Sequence, residues 1–223
     1  MRVVYVTQIA GLVDYAAMYE RQLQVCEAVA SGSRSPTLFL LEHTPTITLG
    51  RRARREHIVA DADALARAGV RCVETDRGGD VTYHGPGQLV VYPILDLNTW
   101  RPSVNWYIRA LEETVIRLLQ SFGLAGERRP GLTGVWVDEG KVAAVGVGLR
   151  HWTTYHGLAV NVCPDEEHWQ MIIPCGIPYR PVTSLARLLS AQPSMDEVVA
   201  RYLQAFSKTF DCRLDIHRET WPA

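Results

Sequence analysis

The chain has 223 residues, 47% of them hydrophobic and 21% charged, with a formal net charge of -1. That length and apolar content suit one large core or two small ones. Near-neutral charge excludes a general affinity for nucleic acid or anionic membrane, and no apolar run approaches the roughly eighteen residues needed to span a bilayer. The start, Met-Arg-Val-Val-Tyr-Val-Thr-Gln, lacks the apolar stretch and cleavage site of a signal peptide. Cys26, Cys72, Cys163, Cys175 and Cys212 are scattered, with no Cys-x-x-Cys pair. That pattern argues against a disulfide framework and a structural zinc site, and for a reduced, cytoplasmic protein.

Residues 2–7 and 36–41 are short apolar runs suited to buried strands, with a helix between them from about residue 14 to 30. Ser31-Gly32 supplies its stop. A second helix is expected from Asp61 to Ala68, opened by its aspartate and closed by Gly69. Residues 88–97 suit a buried central strand, against which Pro93 argues for a bulge or an edge. Ser103 opens a long helix that ends before Gly123. Residues 134–137 and 141–150 pair through a turn at 138–140, and 153–162 makes a third antiparallel neighbour. Ser194 and Glu197 form a capping-box pair opening a last helix to about Phe210. The expectation is a single α+β domain over 1–223, a mainly antiparallel or mixed sheet flanked by helices. A small C-terminal subdomain from about residue 180 is the one subdivision considered.

Three stretches carry chemistry. Cys175 lies between Pro174 and Gly176, on a shaped loop of the kind that presents reactive groups. A free cysteine is also commonly a small buried hydrophobe, and residue type alone does not separate the two. An ordinary thiol with pKa ~8.5 is only ~3% thiolate at neutral pH, and a nearby cation would raise that fraction. Lys141, at the start of the apolar run 142–149, is the candidate cation and base. The bland alternative is a lysine that follows a hairpin turn and points at solvent. Residues 77–88 read Arg-Gly-Gly-Asp-Val-Thr-Tyr-His-Gly-Pro-Gly-Gln. Gly78 and Gly79 let a ligand lie against the main chain. Arg77 can anchor the loop through a carboxylate or a carbonyl. Thr82 and His84 face one side of a short strand and Tyr83 the other. A turn with an edge strand, His84 serving only a core hydrogen bond, is the alternative. Neither a dinucleotide fingerprint nor a P-loop is present.

Together these stretches resemble the lipoyl(octanoyl) transferases, which move an octanoyl group from acyl carrier protein onto lysines of lipoyl domains. The run Arg-Gly-Gly-x-x-Thr-x-His-x-x-Gly-Gln is matched at every fixed position; Lys-Val-Ala at 141–143 and Pro-Cys-Gly at 174–176 follow in order. His43-Thr-Pro and Thr48-Leu-Gly-Arg agree as well. The resemblance implies a biotin/lipoate ligase-like catalytic fold and a dyad of Cys175, the acyl-thioester nucleophile, with Lys141. It implies an acyl pocket lined by Arg77, Gly78, Gly79, Asp80, Val81, Thr82, Tyr83 and His84, with Ala144, Val145, Gly146, Gly157, Leu158 and Ala159. It implies octanoyl-acyl carrier protein as donor. The acceptors are lipoyl domains of 2-oxoacid dehydrogenase complexes and the glycine cleavage H protein, in the first step of endogenous protein lipoylation. No cofactor, metal, nucleic acid or membrane is expected, and the chain is expected to be a monomer.

Other features carry less. Arg51, Arg52, Arg54 and Arg55 suit an acidic partner or a solvated loop equally. His151 and His156, five apart on strands, fall on opposite faces by parity, without a third ligand at metal spacing. Two alternatives remain: an ATP-dependent lipoate or biotin ligase, which needs no nucleophilic thiol, and a non-catalytic acyl-binding protein.

Overall fold

Residues that are apolar on both faces must be covered on both faces, and the middle strands of this chain set its architecture in that way. The computed structural model describes residues 1–174 and 181–221. Its first elements are β1 (Arg2–Val13), α1 (Tyr15–Ala30), β2 (Thr37–His43), β3 (Thr46–Leu49), α2 (Ala62–Arg67), β4 (Arg71–Glu74) and β5 (Val81–His84). There follow β6 (Gln88–Ile94), α3 (Val104–Ser121), β7 (Glu127–Arg129), β8 (Leu132–Val137), β9 (Gly140–Arg150) and β10 (Thr153–Asn161). The last are α4 (Glu166–Trp169), α5 (Leu185–Leu188), α6 (Met195–Phe210) and β11 (Cys212–Thr220).

Among the described residues the main sheet has the order β11-β1-β2-β6-β10-β9-β8-β7, and a smaller one the order β4-β3-β5. β1 runs parallel to both β11 and β2, and the ladders from β2 through β7 are antiparallel. β2, β6 and β10 are buried almost throughout. On one face α1 packs Met18, Val25 and Val29 against Phe39, Val90 and Tyr92. On the other, α3 and α6 set Tyr107, Leu111, Val115, Tyr202 and Phe206 against Val4, Leu38, Val91 and Leu158. Each such side chain fully buried contributes about 1.5–3 kcal/mol of transfer free energy. The small sheet has its own apolar cluster, in which Ile47, Val81 and Tyr83 meet Ile172. This is a single-domain α+β fold with a mixed sheet, and α6 and β11 pack into its main core. No described helix is long and apolar enough to cross a membrane.

The helix starts are where capping chemistry places them. Asp14 accepts from Ala17 N at 2.9 Å, Asp61 from Ala64 N at 2.7 Å, Ser103 from Trp106 N at 3.3 Å and Ser194 from Glu197 N at 3.2 Å. The sequence reading did not include β3, β4 and β7, and two longer strands differ from expectation as well. β1 continues to Val13 through a register shift beside Gly11, whose φ is +87°. β11, which the sequence did not announce, pairs along the outer side of β1; its apolar residues Cys212, Leu214 and Ile216 alternate with polar ones.

Pro93 lies in the middle of the sheet, at neither an edge nor a bulge. β6 is paired with β2 across Pro93 (Leu38↔Pro93), while the ladder to β10 stops at Val91↔Leu158 and returns as the Asp96↔Thr153 bridge. The register is the same on both sides, so no residue is inserted. The gap removes the need for a ladder N–H that proline lacks. In that gap the Pro93 carbonyl accepts from the Thr154 hydroxyl at 2.7 Å, and His156 N donates to Gln22 Oε1 at 2.8 Å instead.

Candidate functional site

The loop at residues 77–81 folds back onto β9 and closes a cavity of about 500 Å³, within the usual ~300–1,000 Å³ of small-molecule pockets. Arg77 holds the loop from inside. It is buried, and its guanidinium donates to the carbonyls of Thr48 and Asp80, each at 2.7 Å, and to Thr48 Oγ1 at 2.8 Å. Gly78 N donates to Val147 O at 2.9 Å, which pins the loop across β9. Gly79 has φ +97°, a conformation that favours glycine.

The structure brings Arg77, Gly78, Gly79, Asp80, Val81, Thr82, His84, Lys141, Ala144, Val145, Gly146, Gly157, Leu158 and Ala159 around this one cavity. Tyr83 is not among the lining residues. Its hydroxyl is 2.7 Å from His168 Nδ1 and its ring packs edge-on to Trp169. Gly146 and Gly157 are also more constrained than residues that merely leave room for a ligand. A Cβ on Gly146 would stand 2.8 Å from the Gly78 carbonyl, and one on Gly157 2.2 Å from the Val91 carbonyl. Both glycines therefore permit close backbone approach rather than open space.

The far end of the cavity is polar and was not read from the sequence. Tyr15, Tyr92 and His156 line it beside His84. His156 has φ +56°, which takes it out of strand alternation and brings its ring to within 4.9 Å of the Tyr155 ring, on the same side. The parity argument applied to His151 and His156 fails for this reason, and because His151 sits on the turn after β9. His156 donates from Nε2 to Asp76 Oδ1 at 2.9 Å, Tyr155 donates to Asp76 Oδ2 at 2.6 Å, and Tyr19 stacks on the imidazole. The His156 hydrogen bond, with those from Tyr155 and Tyr19, holds the Asp76 carboxyl well below the usual carboxylate range. Burial keeps His156 neutral by lowering its pKa. The same desolvation takes His84 down to about 3 and His43 to about 4. Asp76 directly precedes Arg77 and His156 directly precedes Gly157, so adjacency to the motif was the available signal.

Lys141 stands at the other end, half-buried, with Nζ 5.5 Å from the centre of the Trp136 ring. Cys175 falls outside the described residues, but the chain on both sides of it is tied to the cavity wall. Upstream, Ile173 N donates to His57 O at 2.7 Å. Downstream, Lys141 N donates to Pro181 O at 2.9 Å and Thr183 N to Lys141 O at 3.0 Å. His57 and Lys141 both line the cavity. The rim also carries Arg52 and Arg54, while Arg55 pairs with Glu74 at 2.9 Å.

The lipoyl protein ligase A/B catalytic domain matches residues 14–207, the greater part of this chain and all of the cavity wall. The chain belongs to that family. Among its members, octanoyltransferases of Solibacter usitatus and Chloroflexus aggregans are 49% and 51% identical to it, each covering at least 90% of both chains. Kinship at this level makes the protein an enzyme of the acyltransferase class. Among solved structures, lipoate-protein ligase A bound with ATP superposes with a TM-score of 0.73 at 17% identity, covering 99% of this chain and 89% of its own. The bi-partite lipoate protein ligase of Thermoplasma acidophilum gives 0.68 at 18%, covering 99% and 87%. These two likenesses concern the fold of this family member.

Proposed function

We propose that the protein transfers an octanoyl group from acyl carrier protein to the ε-amine of a lipoyl-domain lysine, through a thioester on Cys175. The observation that carries this is the pair of anchors around residues 175–180: one on His57, the other on the backbone of Lys141, both at the wall of one cavity. The relatives named octanoyltransferase add the acyl group.

In the first step the Cys175 thiolate attacks the thioester carbonyl of the donor. The bond from carbon to the carrier sulfur breaks, and that sulfur leaves with a proton from Lys141. In the second step the acceptor amine attacks the acyl-enzyme. An amide bond forms, the bond to Cys175 sulfur breaks, and the amine proton passes to Lys141. The first exchange replaces one thioester by another, so no ATP is consumed. The walls at Ala144 and Ala159 carry little side chain and let an unbranched chain lie against the sheet. Each methylene buried there adds ~0.8 kcal/mol.

The test is intact-protein mass spectrometry after mixing with octanoyl carrier protein and no ATP. A mass increase of one octanoyl group, absent in Cys175→Ala, is expected. Transfer that demands ATP and free octanoate would replace this proposal by a ligase. Acyl binding without covalent gain would replace it by a non-catalytic role.

A further inference from the structure

Glu112, in the middle of α3, is fully buried, and no other aspartate or glutamate among the described residues is buried. Its Oε2 accepts from Arg109 Nη1 at 2.7 Å and from Arg128 Nε at 3.2 Å. Its Oε1 accepts from the backbone N–H of Gly134 at 3.0 Å. A buried ion pair of this kind is weak evidence for stability, since an apolar replacement often serves as well. What an apolar side chain does not provide is an acceptor for that N–H.

Gly134 is where β8 meets the cavity's lysine. Its φ is +125°, open to glycine and unfavourable for other residues. A Cβ there would stand 2.5 Å from both Lys141 Cε and the Ala143 carbonyl, and 3.2 Å from Lys141 Nζ. The stem of Lys141 thus rests on the bare backbone of Gly134. The β8–β9 ladder shifts register at Val135/Trp136, and Trp136 lies opposite Lys141. Such a bulge re-aims the side chains beside it.

We propose that Glu112 is a positioning residue for Lys141: by accepting the Gly134 N–H it fixes the strand conformation on which the lysine stem lies. The contact runs from α3 through β8 to the ammonium, and Arg109 and Arg128 balance the carboxylate without touching that path. This inference rests on the proposed role of Lys141 toward Cys175.

Two substitutions separate reach from charge. Arg109→Ala removes a half-exposed charge partner and leaves the acceptor for Gly134 in place. Glu112→Asp keeps the charge and withdraws the acceptor by one methylene. The readout is iodoacetamide labelling of the Cys175 peptide across pH, with acyl transfer and melting temperature measured on the same full-length preparations. Glu112→Asp is expected to shift the labelling profile toward that of Lys141→Met and to slow transfer ~10–100-fold, as small misplacements of catalytic groups do. Arg109→Ala is expected to stay near wild type. A wild-type profile in Glu112→Asp, or an equal shift in Arg109→Ala, overturns the inference. If Lys141→Met itself labels like wild type, the role of Lys141 fails, and this inference fails with it. Should Glu112→Asp not fold, Gly134→Ala displaces the lysine from the other side of the contact; a wild-type profile there is equally fatal.

Discussion

His156 gives its Nε2 proton to Asp76 at 2.9 Å, and its buried Nδ1 has no hydrogen-bond partner among the described residues. The carboxylate fixes the tautomer. An acceptor lone pair is left beside the polar end of the cavity, and three groups (His156, Tyr155 and Tyr19) converge on Asp76 to hold it ionised.

Asp76→Asn tests that convergence. An amide offers one acceptor and one donor where His156 and Tyr155 both donate, so one of them loses its partner. Stability at pH 7 is expected to fall by about 1–3 kcal/mol, measured by urea titration. A change under about 0.5 kcal/mol would show that the carboxylate is not needed.

Acid should weaken the fold in a window set by histidines. His43 and His84 have folded pKa values lowered to about 4 and about 3 by burial. The unfolded chain takes up these protons first, near its ordinary ~6.5. Their contribution is therefore complete above about pH 6.5 and drains away as the pH falls toward the folded values. With about two protons involved, stability should drop on the order of 2–3 kcal/mol per pH unit around pH 5. Chemical denaturation at pH 6 and pH 5 reads this slope directly. A flat response between them contradicts the buried neutral assignment.

Gly146→Ala should impair transfer of every acyl chain alike. The added methyl meets the Gly78 carbonyl at 2.8 Å, so it displaces the loop held by Arg77 rather than shortening a pocket. Rates on octanoyl and butanoyl carriers should fall in parallel. A loss confined to octanoyl would place the methyl in the acyl path after all.

Cys175→Ser should abolish transfer with little change in melting temperature, because a lysine is a poor base for a serine hydroxyl. Lys141→Arg should fail as well, since guanidinium keeps the charge but does not act as a base. Substantial turnover in either variant removes the proposed chemistry.

Much of this molecule was legible in its residues. Asp14, Ser103 and Ser194 announced helix starts because a short polar side chain has a local backbone N–H to satisfy. The run at 77–88 announced a loop and a strand because two glycines, and then an alternation, leave few other conformations. What stayed hidden depends on distance. Asp76 and His156 are 80 residues apart in sequence and meet only when β10 breaks alternation at a left-handed residue, which no local pattern encodes. Glu112 carries no local signal of its role, since its partner Gly134 lies on another element, 22 residues further along the chain. Pro93 looked disruptive in a central strand because the compensating gap lies in β10, on another stretch of chain.

The pairing of β1 with β11 carries a consequence for how the chain reaches its fold. Arg2 lies opposite Cys212 and Ala10 opposite Thr220, so the outer side of β1 waits for residues made some 200 positions later. Contacts of such sequence separation raise contact order and slow the closing step. Until that strand arrives, β1 presents an open parallel edge bearing Val4 and Val6, a surface on which a neighbouring nascent chain can add itself. The vulnerable period for this protein is therefore biosynthetic: its hazard is misassembly before the last strand docks, and conditions that hasten that docking should raise the yield of folded enzyme more than conditions that stabilise the finished sheet.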